Sequence, residues 1–306
     1  MLYSRLISPW PRERYWAPNR CILIAGSTAF AWRNMSAKVV LVTGASSGIG
    51  AACAGLLAER GFRVYGSSRK PNFQPGAYRP VLMDVTNDQS VEEAVAGVIK
   101  EAGSIDALVN NAGCGLAGAV EDTTSREALR QMDVNFMGAF RVARAVLPGM
   151  RQRGSGVIVN VSSLGGLFGL PFQSFYSASK FALEGWTESL RYEVSPFGIR
   201  VVLVEPGDVK TGFTGSRVRA AAAGSSSAYT GWFSKCMGIV EKEEQNGVPP
   251  EIIARLVCRI IEGNAKGPRY TSGHVSQRAS AVLKRLLPGR LFESIIGPFY
   301  GLGGGS

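Results

Sequence analysis

The chain is expected to fold as one doubly wound α/β domain, a parallel sheet of about seven strands with helices on both faces. Three observations predict this. Short apolar runs, typical of strands buried on both faces, alternate with stretches of helical length. The first such run, residues 38–43, ends in a glycine-rich turn that opens a helix, as phosphate-binding turns do. The chain has 306 residues and 45% hydrophobic content, enough for one large buried core.

The net charge of +11 is uneven: residues 1–34 carry +4, residues 267–306 another +4, and the middle only +3. Basicity at the ends is not the stripe that tracks a phosphate backbone, so nucleic acid is not an expected partner. Solvated termini are the first reading, and weak peripheral attraction to anionic membrane surfaces the second. The five cysteines are scattered with no C-x-x-C, which fits a reducing, cytoplasmic compartment. His274 is the sole histidine. That argues against a Ser-His-Asp triad and against a zinc site, and no metal is expected.

Residues 1–34 hold Pro9, Pro11 and Pro18 and an apolar run over 21–32, which is too short to span a bilayer. The segment is read as lying upstream of a functional start at Met35. A processed leader with Ala29-Phe30-Ala31 as its cleavage site, or a peripheral anchor, are the alternatives. The main α/β domain is expected over 35–271. Its first strand, 38–43, leads into Gly44-Ala45-Ser46-Ser47-Gly48-Ile49-Gly50 and a helix to Arg60. Glycines let the backbone approach a pyrophosphate, and the helix N-terminus offers N–H groups and the positive end of its dipole. Residues 62–67 form the second strand. An acid at that position takes the ribose 2′-hydroxyl in the common dinucleotide fingerprint. Here the sequence is Ser67-Ser68-Arg69-Lys70. An Arg suits a 2′-phosphate through paired N–H donors, so NADP(H) is expected over NAD(H).

The third strand ends at Asp84-Val85, where the carboxylate is placed to accept from adenine N6. Residues 88–102 form a helix with Asp88 near its N-cap. The fourth strand, 107–109, closes on Asn110-Asn111-Ala112-Gly113, small enough for a flat cofactor ring to lie on the backbone. A helix over 138–153, a strand over 157–161, a helix over 175–194 and a strand over 199–204 follow. A helix over 249–262 and a last strand over 269–271 complete the domain.

Residues 211–245 lack strand signals and include a small-residue run over 220–227, so they are expected to form a substrate lid. Phe213, Tyr229, Trp232, Phe233 and Met237 are expected to line an apolar pocket with Leu164, Leu167, Phe168, Leu170 and Phe172. Packing within the core of a lid helix is the alternative for any one of them. Residues 272–306 are a C-terminal extension, with helices over 275–287 and 291–300 broken by Pro288-Gly289. Leu283, Leu286 and Leu287 with Lys284 and Arg285 form an amphipathic patch. It covers the pocket mouth, mediates dimer contacts or lies on a membrane. Residues 303–306 read as flexible linker.

Tyr176 and Lys180 are four apart and share one face of a helix. An ammonium beside a phenol favours the phenolate and lowers its pKa from near ~10 toward a range useful at neutral pH. Ser163 precedes the tyrosine across a glycine-rich segment able to fold back, so its hydroxyl can point at the same substrate oxygen. That is a proton-transfer site for an alcohol or a carbonyl.

The motifs 43–50, Asp84, 110–113, Asn135, Ser163, Tyr176-x-x-x-Lys180 and Pro206-Gly207 occur in the order found in the short-chain dehydrogenase/reductase family, which the chain resembles from residue 38 to the 260s. Residues 165–172, 176–184 and Ser68-Arg69 are similar to the branch of 17β-hydroxysteroid and retinol dehydrogenases and their bacterial relatives. The resemblance implies a Rossmann-type domain and an NAD(P)-dependent oxidoreductase. It implies that Tyr176 is the general acid in reduction and the base in oxidation. Lys180 would lower its pKa and hold the nicotinamide ribose. Ser163 would polarise the substrate oxygen, and Asn135 would hold a water between Lys180 and solvent. Gly44, Ser46, Ser47, Gly48, Ile49 and Gly50 would bind the phosphates with Arg69, and Asp84 and Val85 the adenine. Asn111, Ala112, Gly113, Pro206, Gly207, Val209 and Thr211 would complete the cofactor site, Thr211 at the carboxamide. Leu170, Phe172 and Phe213 would join Ser163 and Tyr176 at the substrate. A homodimer or homotetramer is implied, built on the long helices. The expected substrate is a lipophilic secondary alcohol or ketone, steroid-like or similar. A retinal or fatty-aldehyde reductase, or an NADPH-binding sensor with little turnover, are the alternatives.

Overall fold

In strand β1 (Val39–Val42), Val40 and Val42 point to one face of a sheet, Val39 and Leu41 to the other, and all four are buried. Such a strand needs helices on both sides, and the computed structural model supplies them. It describes residues 37–70 and 76–302. The regions read as an N-terminal extension and a terminal linker, 1–34 and 303–306, lie outside the described residues. The described residues belong to one compact unit that starts at Ala37.

The strands that follow are β2 (Arg63–Ser68), β3 (Arg79–Leu82), β4 (Ala107–Asn110), β5 (Leu116–Ala117), β6 (Gly156–Val161), β7 (Ile199–Pro206), β8 (Val218–Arg219) and β9 (Arg269–Ser272). Seven of them form one parallel sheet in the order β3-β2-β1-β4-β6-β7-β9. The order reverses between β1 and β4. Loops leaving these two neighbours part in opposite directions and open a crevice at the carboxyl ends of the strands, where ligands bind in open α/β sheets.

Helix α1 (Gly48–Glu59) covers one face, where Cys53 and Leu57 pack with Val40, Val42 and Val204. Helices α2 (Asp88–Ala102), α3 (Ser125–Met132), α4 (Gly138–Arg153) and α5 (Ser174–Val194) come next. Val91 and Val95 of α2, Val142 and Val146 of α4 and Leu190 of α5 cover the other face, against Leu41, Leu108 and Ile158. Each fully buried aliphatic side chain contributes about 1.5–3 kcal/mol relative to exposure. The first face is completed by α8 (Pro250–Glu262), whose Ile253, Val257 and Ile260 reach the same core as α1.

Two regions depart from the sequence reading. Helix α3 was not expected, yet it starts with a capping box. Thr124 accepts from the Glu127 N–H, and the Glu127 carboxylate accepts from the Thr124 N–H. The pattern T-x-x-E carried that signal. Residues 211–245 are not a loop. They form α6 (Phe213–Ser216), the short strand β8 paired in parallel with β5, and α7 (Thr230–Gln245). Phe233, Cys236, Met237 and Val240 stand at helical spacing and are buried on Ala117 and Phe172. The small residues just before α7 hid its start. The chain ends in a helical hairpin, α9 (Val275–Leu286) and α10 (Gly289–Phe299), with Pro288 at the N-cap of the second helix.

Candidate active site

The glycine-rich turn sits at the end of β1, beside the end of β4. Gly44 and Gly48 have φ of +66° and +56°, a region that L side chains rarely adopt. A Cβ on Gly50 would collide with the Gly44 carbonyl oxygen and the Asn111 amide. Thr43 and Asn111 knit the turn to β4. Thr43 Oγ1 accepts from the N–H groups of Asn111 and Ala112, both at 3.0 Å, and Asn111 Nδ2 donates to the Thr43 oxygen at 2.9 Å. Tyr78 was not singled out from sequence, but its hydroxyl donates to the Ala45 oxygen at 2.6 Å. Its ring fills the space where a Cβ on Gly66 would stand. A lone glycine inside a strand is the signal for such an approach.

The residues fit a dinucleotide. Ser47, at the N-cap of α1, makes no side-chain capping bond, which leaves first-turn N–H groups for a ligand phosphate. Gly44, Ser46, Ser47, Gly48, Ile49 and Arg69 line one cavity with Asp84, Val85, Asn111, Ala112 and Gly113. Burial works against the charge of Asp84. Hydrogen bonds from Thr86 and the Arg69 and Arg141 charges outweigh it, and the Asp84 pKa is lowered. On the far wall Thr211 stands opposite the turn, with its Cβ 3.3 Å from where a Cβ on Gly48 would lie. The Gly207 N–H donates to Ser272 oxygen at 2.6 Å. Gln277, also unmarked in the sequence, clamps Asp208: it accepts from the Asp208 N–H at 3.2 Å and donates to the carboxylate. Pro206, Gly207 and Val209 line the cavity on this side.

Beyond β6, Ser163 opens a tight turn over Leu164–Gly166, its Oγ accepting from the Gly165 N–H at 3.1 Å. A Cβ placed on Gly165 would lie 3.0 Å from Leu170, 3.2 Å from the Tyr176 ring and 3.5 Å from Ser163 Oγ. The glycine is thus the point around which serine, tyrosine and leucine converge. Tyr176 is in the first turn of α5, and Lys180 is one turn on. Lys180 is buried, donates from Nζ to the Val161 oxygen at 2.9 Å, and lies 6.0 Å from the Tyr176 ring centre.

The electrostatics depart from the expectation of a lowered phenol. Burial pushes Tyr176 up to about 12, opposed by the Ser163 hydroxyl and reinforced by Glu244. Burial also brings Lys180 down to about 8, against the pull of Cys114 and Glu184. The lysine head is directed at a backbone carbonyl, and desolvation of the phenol dominates.

Asn135 lies in a π-helical turn, Asp133–Met137, a widened turn often found at functional sites. Its carboxamide accepts from the Cys114 N–H at 2.8 Å and donates to Cys114 oxygen at 3.0 Å and Ser179 Oγ at 3.1 Å. Ser179 in turn donates to the Tyr176 carbonyl at 2.6 Å. The side chain therefore ties the end of β4 to the helix that carries Tyr176 and Lys180.

The cavity has a volume of about 660 Å³ and continues past Tyr176 to the terminal hairpin. Leu164, Phe168, Leu170 and Phe213 line it, and the Phe213 ring is 5.9 Å from that of Tyr176. The hairpin adds Leu283, Ile295, Ile296 and Phe299 as further walls, so it covers the pocket mouth. Phe172 is not at the cavity. With φ of +57° its ring turns onto Phe233, 5.6 Å between centres. Phe233 and Met237 are buried behind the site, Trp232 is exposed, and Tyr229 donates outward to Glu121. Helix α7 packs Phe233 and Met237 on Ala117 and reaches the cavity with Val240, Glu243 and Glu244, so of the aromatic residues expected from 211–245 only Phe213 lines it.

Residues 38–222 match the family model for short chain dehydrogenase. A 3-ketodihydrosphingosine reductase of Bacteroides thetaiotaomicron is 43% identical over 88% of this chain and 100% of its own length. Human 17-beta-hydroxysteroid dehydrogenase type 1 is 41% identical over 58% of this chain and 59% of its own. The crystal structure of a short-chain dehydrogenase from Streptomyces avermitilis superposes with a TM-score of 0.73 at 34% identity, covering 87% of this chain and 96% of that one. The fold and the site define a nicotinamide-dinucleotide oxidoreductase, and the chain belongs to the short-chain dehydrogenase family. It is an NAD(P)-dependent dehydrogenase or reductase.

Proposed function

We propose that this chain interconverts a lipophilic ketone and its secondary alcohol with NADP(H), and that Tyr176 handles the proton. The observation that carries the reading is the convergence of Ser163 and Tyr176 around Gly165, at the point where a polar cofactor cleft meets an apolar cavity. A bound nicotinamide supplies or receives the hydride at the carbonyl carbon. Ser163 hydrogen-bonds the substrate oxygen, and the Tyr176 hydroxyl gives it a proton as its negative charge grows. A phenol at about 12 keeps its proton at neutral pH, the form that donates. Lys180, one turn away, stabilises the phenolate left behind, and Asn135 holds the helix carrying both against β4.

Arg69, at the end of β2, supports NADPH over NADH, because no acid occupies the position facing the ribose. Cavity walls of Leu, Phe and Ile support an apolar substrate body. A 3-keto substrate is favoured by the likeness to the 43% identical 3-ketodihydrosphingosine reductase. A steroid is the second reading, favoured by the shorter match to the human 17-beta enzyme. The assignment extends to a cytoplasmic homo-oligomer. Among the described residues no helix is long and apolar enough to cross a membrane, and Phe181 and Tyr192 stand exposed on α5, one of the long helices.

Tyr176→Phe tests the reading. It removes the hydroxyl and keeps the ring. NADPH oxidation with a long-chain ketone should fall by about 10²–10⁴-fold, while NADPH binding by fluorescence titration stays within about twofold, since the ring still fills its place. Turnover kept by the variant would take the proton away from Tyr176.

A further inference from the structure

We infer that the outer face of the α9–α10 hairpin docks on an anionic lipid bilayer, with the mouth of the substrate cavity opening within the docked face. Val275, Val282 and Leu286 on α9 and Leu291, Ile295 and Phe299 on α10 are each 48–80% exposed. Their spacings, i, i+7, i+11 and i, i+4, i+8, set them in one row along each helix. Other residues of the hairpin anchor it. Phe292 packs 5.3 Å from Phe168, Ala281 is buried with them, and Gln277 holds Asp208. The two helices are therefore held in place with these rows still exposed, and exposed apolar surface of this kind marks an interaction surface.

Two observations choose the occupant. Ile295 and Phe299 are about half exposed and also line the cavity, so apolar surface runs unbroken from outside to the substrate space. The two helices carry Arg278, Lys284, Arg285 and Arg290 against the single acid Glu293. Arg278 and Arg285 are exposed one turn from Val275 and Val282 on α9, and Arg290 is exposed at the start of α10. An apolar face bordered by cations is the pattern of a helix lying in the headgroup boundary. A second copy of the chain fits less well, because a twofold contact would set these cations against themselves. This deepens the lipophilic-substrate reading and rests on it only for the passage of substrate: a lipid ketone would enter from the bilayer without crossing water.

The test is co-sedimentation of the full chain with vesicles of phosphatidylcholine alone and with phosphatidylglycerol added. Binding should be at least about tenfold tighter with the anionic lipid and should weaken as salt rises. The double variant Leu286→Glu, Leu291→Glu alters residues that do not line the cavity. It should lose on the order of tenfold or more in vesicle binding while its thermal unfolding and NADPH binding stay as in the parent. No binding by the parent chain, or equal binding by the variant, would overturn the inference; the latter would place the contact elsewhere. A change of oligomeric state caused by the variant in lipid-free sedimentation would assign the face to a second copy instead. Vesicle binding is read without turnover, so its failure and the failure of the ketone assignment are separately visible.

Discussion

Asp208 stands two residues after Pro206, beside the cofactor space, and burial first, then the Glu244 and Glu243 charges, push its pKa up to about 6 from an ordinary 3.8. The folded carboxyl then holds a proton between these values that the unfolded chain has released. Its contribution to stability is therefore fully present below the unfolded value and is lost as pH rises through about 6. Asp208→Asn removes the titration and keeps an acceptor for Gln277. Its melting temperature relative to the parent should climb between pH 4 and pH 7.5, read by calorimetry, whereas a constant difference would mean that Asp208 ionises normally. Arg69 invites a different substitution. Arg69→Ala should raise the KM for NADPH by about 10–100-fold, the worth of hydrogen bonds to a charged group, and leave NADH nearly unaffected. Equal losses would show that Arg69 does not read the 2′-phosphate. The sequence made Tyr176, Lys180 and Ser163 legible because their spacing is a statement about a helix and a turn. It misjudged the Tyr176 pKa because desolvation depends on what closes over the phenol, and Phe213 and Leu170 arrive from other parts of the chain.

At the scale of elements, the turn between β1 and α1 shows how much a missing side chain decides. A Cβ at Gly50 meets the Gly44 oxygen and Asn111, whereas one at Gly55, in the same helix, meets nothing within 4 Å. Gly55→Ala should therefore stabilise the protein by about 0.5–1 kcal/mol with cofactor affinity unchanged. Gly50→Ala should weaken NADPH binding by at least about tenfold, since the neighbours that must shift form the cradle itself. Thermal unfolding and fluorescence titration on the pair check this, and equal behaviour of the two would contradict it. The central strands β1, β4, β6 and β7 were readable because burial on both faces writes continuous apolar runs. Helix α7 was not, because its four buried positions are interleaved with exposed polar residues and preceded by small ones. Phe172 was misplaced for a related reason. Its positive φ, invisible in the sequence, turns the ring from the cavity toward Phe233.

At the scale of the whole molecule, the reversal of strand order between β1 and β4 places the phosphate turn, residues 111–113 and the Tyr176 helix around one crevice. The alternation of runs announced that sheet. The part played by the terminal hairpin was left open among three uses, because an amphipathic helix carries no record in its own sequence of what it lies against. The structure sets its inner residues on the cavity, and the site becomes a cleft that is polar at one end and apolar at the other. The most direct measurement is kcat/KM for NADPH-dependent reduction of a homologous series of straight-chain ketones. The account predicts a rise of roughly fourfold per added methylene, about 0.8 kcal/mol each, until the apolar end is filled. A flat or falling series, with the shortest ketones turned over best, would contradict it.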